Sequence, residues 1–197
     1  MAMRIDHVIY ATADLDAAAA RVEAVLGTAA AGGGRHDGIG THNRIVPLGG
    51  GYLELLAVAD PEEASSSWLG SAIQARITGH GDGLFAWAVA VDDVAPVAAR
   101  LGVEVSRISR SGLTAQLAGV AEAMRDPALP FFIARDPGVA DPAAGGAAGG
   151  IAWIEVAGDA ARLARWLGGA ELPVRVVADG GAPGVRAMGV GGRELRR

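Results

Sequence analysis

The chain has 197 residues, half of them apolar, enough for one domain or for one domain built of repeated units. All 17 basic residues are Arg and there is no Cys, which excludes Schiff-base and P-loop lysines, thiolate nucleophiles, Cys-type zinc sites and a disulfide framework. A formal net charge of −5 argues against non-specific nucleic-acid binding, which needs a basic face.

The N-terminal stretch MAMRIDHVIYATAD carries charges at positions 4 and 6 and has no long apolar run. It does not read as a signal peptide, and no later segment reads as a transmembrane helix. A cytoplasmic location is therefore expected.

Residues 4–27, RIDHVIYATADLDAAAARVEAVLG, read as a strand, an Asp N-cap, an amphipathic helix and a Gly C-cap. Strict alternation on the strand puts Asp6, Val8 and Tyr10 on one face, with Ile5, His7 and Ile9 on the other. The Gly-rich stretch GGGRHDGIGTHN at 32–43 fails the G-x-G-x-x-G pattern and leads to a strand rather than a helix, so it is not a phosphate cradle. It reads as turns on a hairpin approach, with strands at Thr28–Ala31 (weak), Asn43–Leu48 and Tyr52–Val58. Its polar residues Arg35, His36, His42 and Asn43 are candidate rim contacts for a ligand, Arg35 suiting a carboxylate. In YLELL, Tyr52, Glu54 and Leu56 share a face. A carboxylate in such a run is either on a solvated face or turned into a cavity, and the leucines around Glu54 favour the cavity.

Residues 59–82 are polar and predict a helix over Glu62–Ile77, with His80 in a turn and Trp68 near the cleft mouth. Residues 84–102, LFAWAVAVDDVAPVAARLG, repeat the first pattern with Asp92 or Asp93 as the cap. Strands follow at Val103–Ile108, Leu113–Val120 and Pro130–Arg135, with Phe131 assigned to the core and Phe132 to the cleft lining. Residues 136–150 are a Pro/Gly/Ala linker with nothing to bury. Residues 151–168, IAWIEVAGDAARLARWLG, open a third copy, with strands at Leu172–Ala178 and Val185–Val190 and a short last strand at Glu194–Arg196. Trp87 and Trp153 take equivalent core positions. The domain reading is thus paired β-α-β-β-β modules in 1–135 (4–58 and 83–135), a linker at 136–150 and a partial third module at 151–197. The fold class is α+β, with a curved mixed sheet around a cleft.

The segments RIDHVIYATADLDAAAARVEAVLG and GGRHDGIGTHNRIVPLGGGYLELLAV resemble the glyoxalase-like domain family of the vicinal oxygen chelate superfamily; LPFFIARD at 129–136 resembles it more weakly. The resemblance implies metal ligands on the first and fourth strands of each module. His7 and Glu54 match them in the first module, as ligands of a divalent Zn, Ni, Mn or Fe ion held at low occupancy or not at all. In the second module the matching positions fall on Ala86 (or Phe85) and Ala134, and in the third on Ala152, none of them a ligand. His36, His42 or Glu155 are the remaining residues that could complete a metal site.

The resemblance also implies a small-molecule ligand in the cleft, with Tyr52 and Phe132 lining it, no nucleic-acid or membrane partner, and a homodimer as one possible assembly. It leaves two activities open. One is a lyase or isomerase acting next to a carbonyl, with His7 as ligand or acid/base and Glu54 as ligand or general base. The other is metal-free binding or drug sequestration of the bleomycin-resistance type.

Overall fold

A computed structural model describes residues 3–110, 113–146, 148–178 and 180–196. The chain is α+β. Strands β1 (Arg4–Ala11), β2 (Ala31–His36), β3 (Thr41–Pro47) and β4 (Tyr52–Val58) form the first module with helix α1 (Leu15–Leu26). Helices α2 (Pro61–Ser66) and α3 (Trp68–His80) connect it to the second: β5 (Gly83–Ala90), α4 (Ala95–Leu101), β6 (Val105–Arg110), β7 (Leu113–Ala118), α5 (Val120–Arg125) and β8 (Phe131–Arg135). These eight strands make one sheet in the order β2-β3-β4-β1-β5-β8-β7-β6, joined at its centre by the antiparallel β1–β5 pair. The outer strands β2 and β6 approach each other, so the sheet curls almost closed.

The third copy forms a second sheet. Strands β9 (Ile151–Ala157), β10 (Val174–Val177), β11 (Gly184–Val190) and β12 (Arg193–Arg196) take the order β10-β9-β11-β12, with helix α6 (Ala160–Leu167) after β9. Its inner residues Ile154, Val156, Val185 and Met188 join Val8, Trp87, Val89, Phe132 and the apolar faces of α1, α4 and α6 in one core. That core fills the outer face of the curled sheet and leaves the inner face for a cavity. Guanidinium groups help tie the copies together, Arg162 of α6 pairing with Asp126 of the second module and two others reaching helix ends. Arg100 donates to the carbonyls of Arg165 and Trp166 at the end of α6, and Arg193 to that of Val25 in α1, where cations suit the negative helix C-terminus.

Several local expectations are revised. Asp14 and Asp159 cap α1 and α6 with their carboxylates, and Gly27, Gly102 and Gly168 end their helices in the left-handed region. Asp92 and Asp93 only flank the start of α4, whose N-cap is Val94, although Asp93 accepts from Ala95 N. The weak strand at Thr28–Ala31 instead runs over Ala31–His36, because its glycines pair with β3 rather than looping free. The expected 62–77 helix breaks at Ser67, whose side chain caps α3, and His80 is the last residue of α3. Val120 starts a helix rather than ending a strand. Residues 136–150 do bury something: Gly49 N donates to Ala143 O and Gly150 N to Leu48 O. A Cβ on Gly146 would meet the backbone of Pro47 and Gly49, so glycine lets the two chains touch. Trp153 is half-buried on the outer face of the second sheet, lying over Gly189 and under the Arg175 guanidinium.

Candidate functional site

Two β-bulges set the geometry of the central strands. Between Ile5 and His7, β1 has one more residue than β5, and between Ala86 and Leu84, β5 has one more than β1. The extra residues are Asp6 and Phe85. A bulge turns the following side chains over. Strict alternation therefore fails here: Ile5 joins Val8 and Tyr10 in the main core, and Asp6 comes round beside His7. The bulges also fix the equivalence of the modules. Phe85 matches Asp6 and Ala86 matches His7. Ile9 pairs with Glu54 and Ala88 with Phe131 in the parallel ladders, so Phe131 matches Glu54. The sequence expectation of Ala134 is corrected, since Ala134 faces the main core.

On the inner face lies a cavity of about 100 Å³. One end is polar, with His7, Glu54, Asn43, His36 and Thr41. The rest is apolar, walled by Phe85, Phe131 and Ile133 from the second module and covered by Leu69 and Ile73 of α3 and Val120 and Met124 of α5. Tyr52, Glu54 and Leu56 all line it, as their shared face on β4 requires.

His7 is 3% exposed and held on every side. Its ring stacks on Tyr52 at 4.6 Å and meets the edge of Phe131 at 5.5 Å. Its Nδ1 is 2.8 Å from Asp6 Oδ2, and its Nε2 is 3.6 Å from Glu54 Oε2, too far for a direct hydrogen bond. Glu54 accepts from Asn43 Nδ2. The Asn43 Oδ1 accepts from Gly34 N at 3.0 Å, which aims the amide nitrogen inward. That nitrogen is also 3.3 Å from His36 Nε2, while His36 Nδ1 is 2.9 Å from Thr41 Oγ1.

Behind His7 stands a buried ion pair. Arg135, at the end of β8, donates to both carboxylate oxygens of Asp6 at 2.7 Å each, and to the Tyr52 hydroxyl at 3.3 Å. Burial would push the Asp6 carboxyl up, but its bonds to Arg135 and His7 outweigh burial and hold it well below the usual carboxylate range. Burial, with Glu54 and Asp6 nearby, pushes the Tyr52 phenol well up, so it stays neutral. Asp6 and Arg135 were not among the expected site residues. The two consecutive polar residues in an otherwise apolar strand were the available signal for a bulge.

The remaining expected residues divide. Asn43 and His36 reach the cavity. Arg35 does not: it is exposed and paired with Glu63 and Asp60 of the α2 region. His42 points to the opposite face of β3, beside Arg44 in a shallow depression, where burial and the two arginines lower its pKa. Phe132 is corrected from cleft lining to core: it is fully buried on the outer face and packs near Trp166, while Phe131 lines the cavity. Trp68 is exposed, and its neighbour Leu69 covers the cavity instead.

The residues present do not fit a resident metal. Only His7 and Glu54 offer donors at the expected positions, and the second module puts Ala86 and Phe131 there. His36 is the nearest third donor, its Nε2 3.8 Å from Glu54 Oε1, but both of these atoms are engaged by the Asn43 amide nitrogen. Glu155 sits in the other sheet, beside Arg196. Among the described residues no group of three His, Asp or Glu could hold a metal ion, whereas catalytic zinc takes three protein ligands.

Paired β-α-β-β-β modules on one curled sheet, with an inward His on the first strand and Glu on the fourth, define a protein of the glyoxalase-like fold class. The family model described as "Glyoxalase-like domain" matches residues 5–172, and the chain belongs to that family. Among solved structures, a hypothetical protein from Staphylococcus aureus is similar at 16% identity and a TM-score of 0.66, covering 95% of this chain and 90% of that one. Such coverage extends into the third copy. Methylmalonyl-CoA epimerase from Mycobacterium tuberculosis is similar at 20% identity and a TM-score of 0.50, over 68% of this chain and 87% of that one. The Streptomyces coelicolor epimerase in complex with 2-nitronate-propionyl-CoA gives 20% and 0.52, over 69% and 96%. At these identities the likeness is one of fold. Among curated proteins, none matches the sequence. Among the described residues, no helix is long and apolar enough to cross a membrane.

Proposed function

We propose that the protein binds a small, largely apolar carbonyl compound in the inner cavity and moves a proton next to the carbonyl, as an isomerase or lyase that needs no metal. The observation that carries this reading is the facing of His7 Nε2 and Glu54 Oε2, 3.6 Å apart at the polar end of an apolar cavity. The pair holds one proton between them, on Nε2 at the start. Glu54 takes a proton from the carbon next to the carbonyl, and the C–H electron pair passes to the carbonyl. Nε2–H gives its proton to the carbonyl oxygen, leaving an enol, neutral His7 and the protonated Glu54. Return of the proton from Glu54 to either face of that carbon, as the enol O–H gives its proton back to Nε2, regenerates substrate or gives its stereoisomer, with no other reactant. Such acid–base transfer contributes about 10²–10⁴-fold. Dry walls strengthen it by keeping the couple from water.

The cavity is on the scale of one that takes benzene, so the ligand has about five or six non-hydrogen atoms unless the α3 cover shifts. The test is exchange of the α-protons of 2-butanone in D₂O, followed by NMR. The wild type is expected to accelerate exchange, and Glu54→Gln and His7→Gln to lose about 10²–10⁴-fold while staying folded. Equal exchange by Glu54→Gln rejects the mechanism. The apolar walls favour one second reading, simple sequestration, which predicts binding of butanone without exchange.

A further inference from the structure

We infer that Asp6 and Arg135 are a positioning pair that fixes the ring tautomer of His7, keeping Nδ1 protonated so that Nε2 is the nitrogen that exchanges a proton in the cavity. This inference rests on the acid/base reading of His7 and Glu54.

Three observations carry it. The first is the bulge, which brings two consecutive residues of β1 to one side, so that Asp6 reaches Nδ1 of its own neighbour. The second is the occupancy of the carboxylate. Both Asp6 oxygens accept from Arg135 at 2.7 Å, and Oδ2 also meets His7 Nδ1 at 2.8 Å. An ionised carboxylate only accepts, so Nδ1 must be the donor. The third is packing: the buried ring stacks on Tyr52 and meets the edge of Phe131, contacts that set its plane with Nδ1 toward Asp6 and Nε2 toward Glu54.

The charged and titratable groups around this unit all fit. Arg135 and the more distant Arg4 face Asp6, the Tyr52 hydroxyl accepts from Arg135, and Glu54, with His36 behind it, faces Nε2. Arg135 follows Phe131 and Ile133 on the inward side of β8. The module that offers no His or Glu to the cavity thus supplies the guanidinium that orients the other module's histidine. A bidentate fork is what Arg gives and Lys does not.

The experiment uses the full chain labelled with ¹⁵N-histidine. Long-range ¹H–¹⁵N spectra report the ring tautomer of each of the four histidines, and His7 is assigned by loss of its signals in His7→Gln. The wild type is expected to show Nδ1–H at His7. In Asp6→Asn the carboxamide turns its N–H₂ toward His7, and the ring is expected to switch to Nε2–H only, with butanone exchange falling about 10²–10⁴-fold while butanone binding persists. Arg135→Lys is expected to keep the tautomer and to recover part of the rate lost in Arg135→Met.

The inference is overturned if folded Asp6→Asn keeps Nδ1–H with full exchange. It is equally overturned if the wild type shows Nε2–H alone, a result that needs no variant to fold. A wild type with Nδ1–H but no exchange of butanone overturns the acid/base reading and leaves the placement of His7 by Asp6 standing.

Discussion

Replacing Arg135 with Met removes the partner of a carboxylate that is 1% exposed. The Met side chain fills much of the same volume but donates nothing, so Asp6 must stay buried without its partner or take up a proton. Breaking one side of a buried ion pair costs about 3–5 kcal/mol. For a chain of this size each kcal/mol lowers the melting temperature by about 2–4 °C, so a fall of roughly 6–20 °C is expected. The internal control is Arg107→Met. Arg107 pairs with Asp136 but its side chain is 61% exposed, so its loss should cost under about 1 kcal/mol.

The pH dependence has a definite sign. The folded Asp6 carboxyl lies below its unfolded value. The stability it contributes is therefore complete above the ordinary carboxylate range near pH 4 and is lost as pH falls toward the folded value. The gap between wild type and Arg135→Met should be widest at neutral pH and narrow below about pH 4. Urea unfolding across pH 3–7 measures this. A neutral-pH gap of less than about 1 kcal/mol, or one that does not narrow in acid, would mean that the Asp6–Arg135 pair does not carry this stability.

Two further outcomes follow from the cavity and its approach. Gly33→Ala adds a Cβ at a φ of 112° that collides with the Asn43 carbonyl oxygen; it should shift Asn43, cost about 1–3 kcal/mol, and slow butanone exchange without touching Glu54, which kinetics and unfolding on one sample would check. Leu117→Trp puts a large ring into the 100 Å³ cavity; titration with butanone should show lost binding for an overpacking cost of about 1–3 kcal/mol, and unchanged binding would mean the ligand site lies elsewhere.

How much of this was readable in the sequence depends on which element is asked. The strand–Asp–helix–Gly grammar recurs three times and gave the modules, because capping and amphipathicity are local properties. Alternation on β4 was reliable, since Tyr52, Glu54 and Leu56 sit in an unbroken ladder. On β1 it failed, because the single bulged residue Asp6 reverses the facing of its neighbours. The same parity question misplaced Phe131 and Phe132, and a strand buried on both faces offers no polar residue to settle it. Arg35 and His42 belong to the expected loop, but strand pairing extends into Gly34–His36 and fixes their outward direction. Arg135 was invisible as a site residue because its partner lies 129 positions away. The docking of residues 136–150 runs through backbone contacts, several of them glycine, and the single small side chain of Ala143, which leaves no apolar pattern to read.

The most direct test of the account combines metal analysis with exchange on one preparation. The protein is purified without chelator, its metal content is measured, and butanone exchange is followed before and after chelation. The account predicts exchange that persists in metal-free protein and disappears in Glu54→Gln. A stoichiometric metal that both His7→Ala and Glu54→Ala lose, with exchange abolished by its removal, would contradict it.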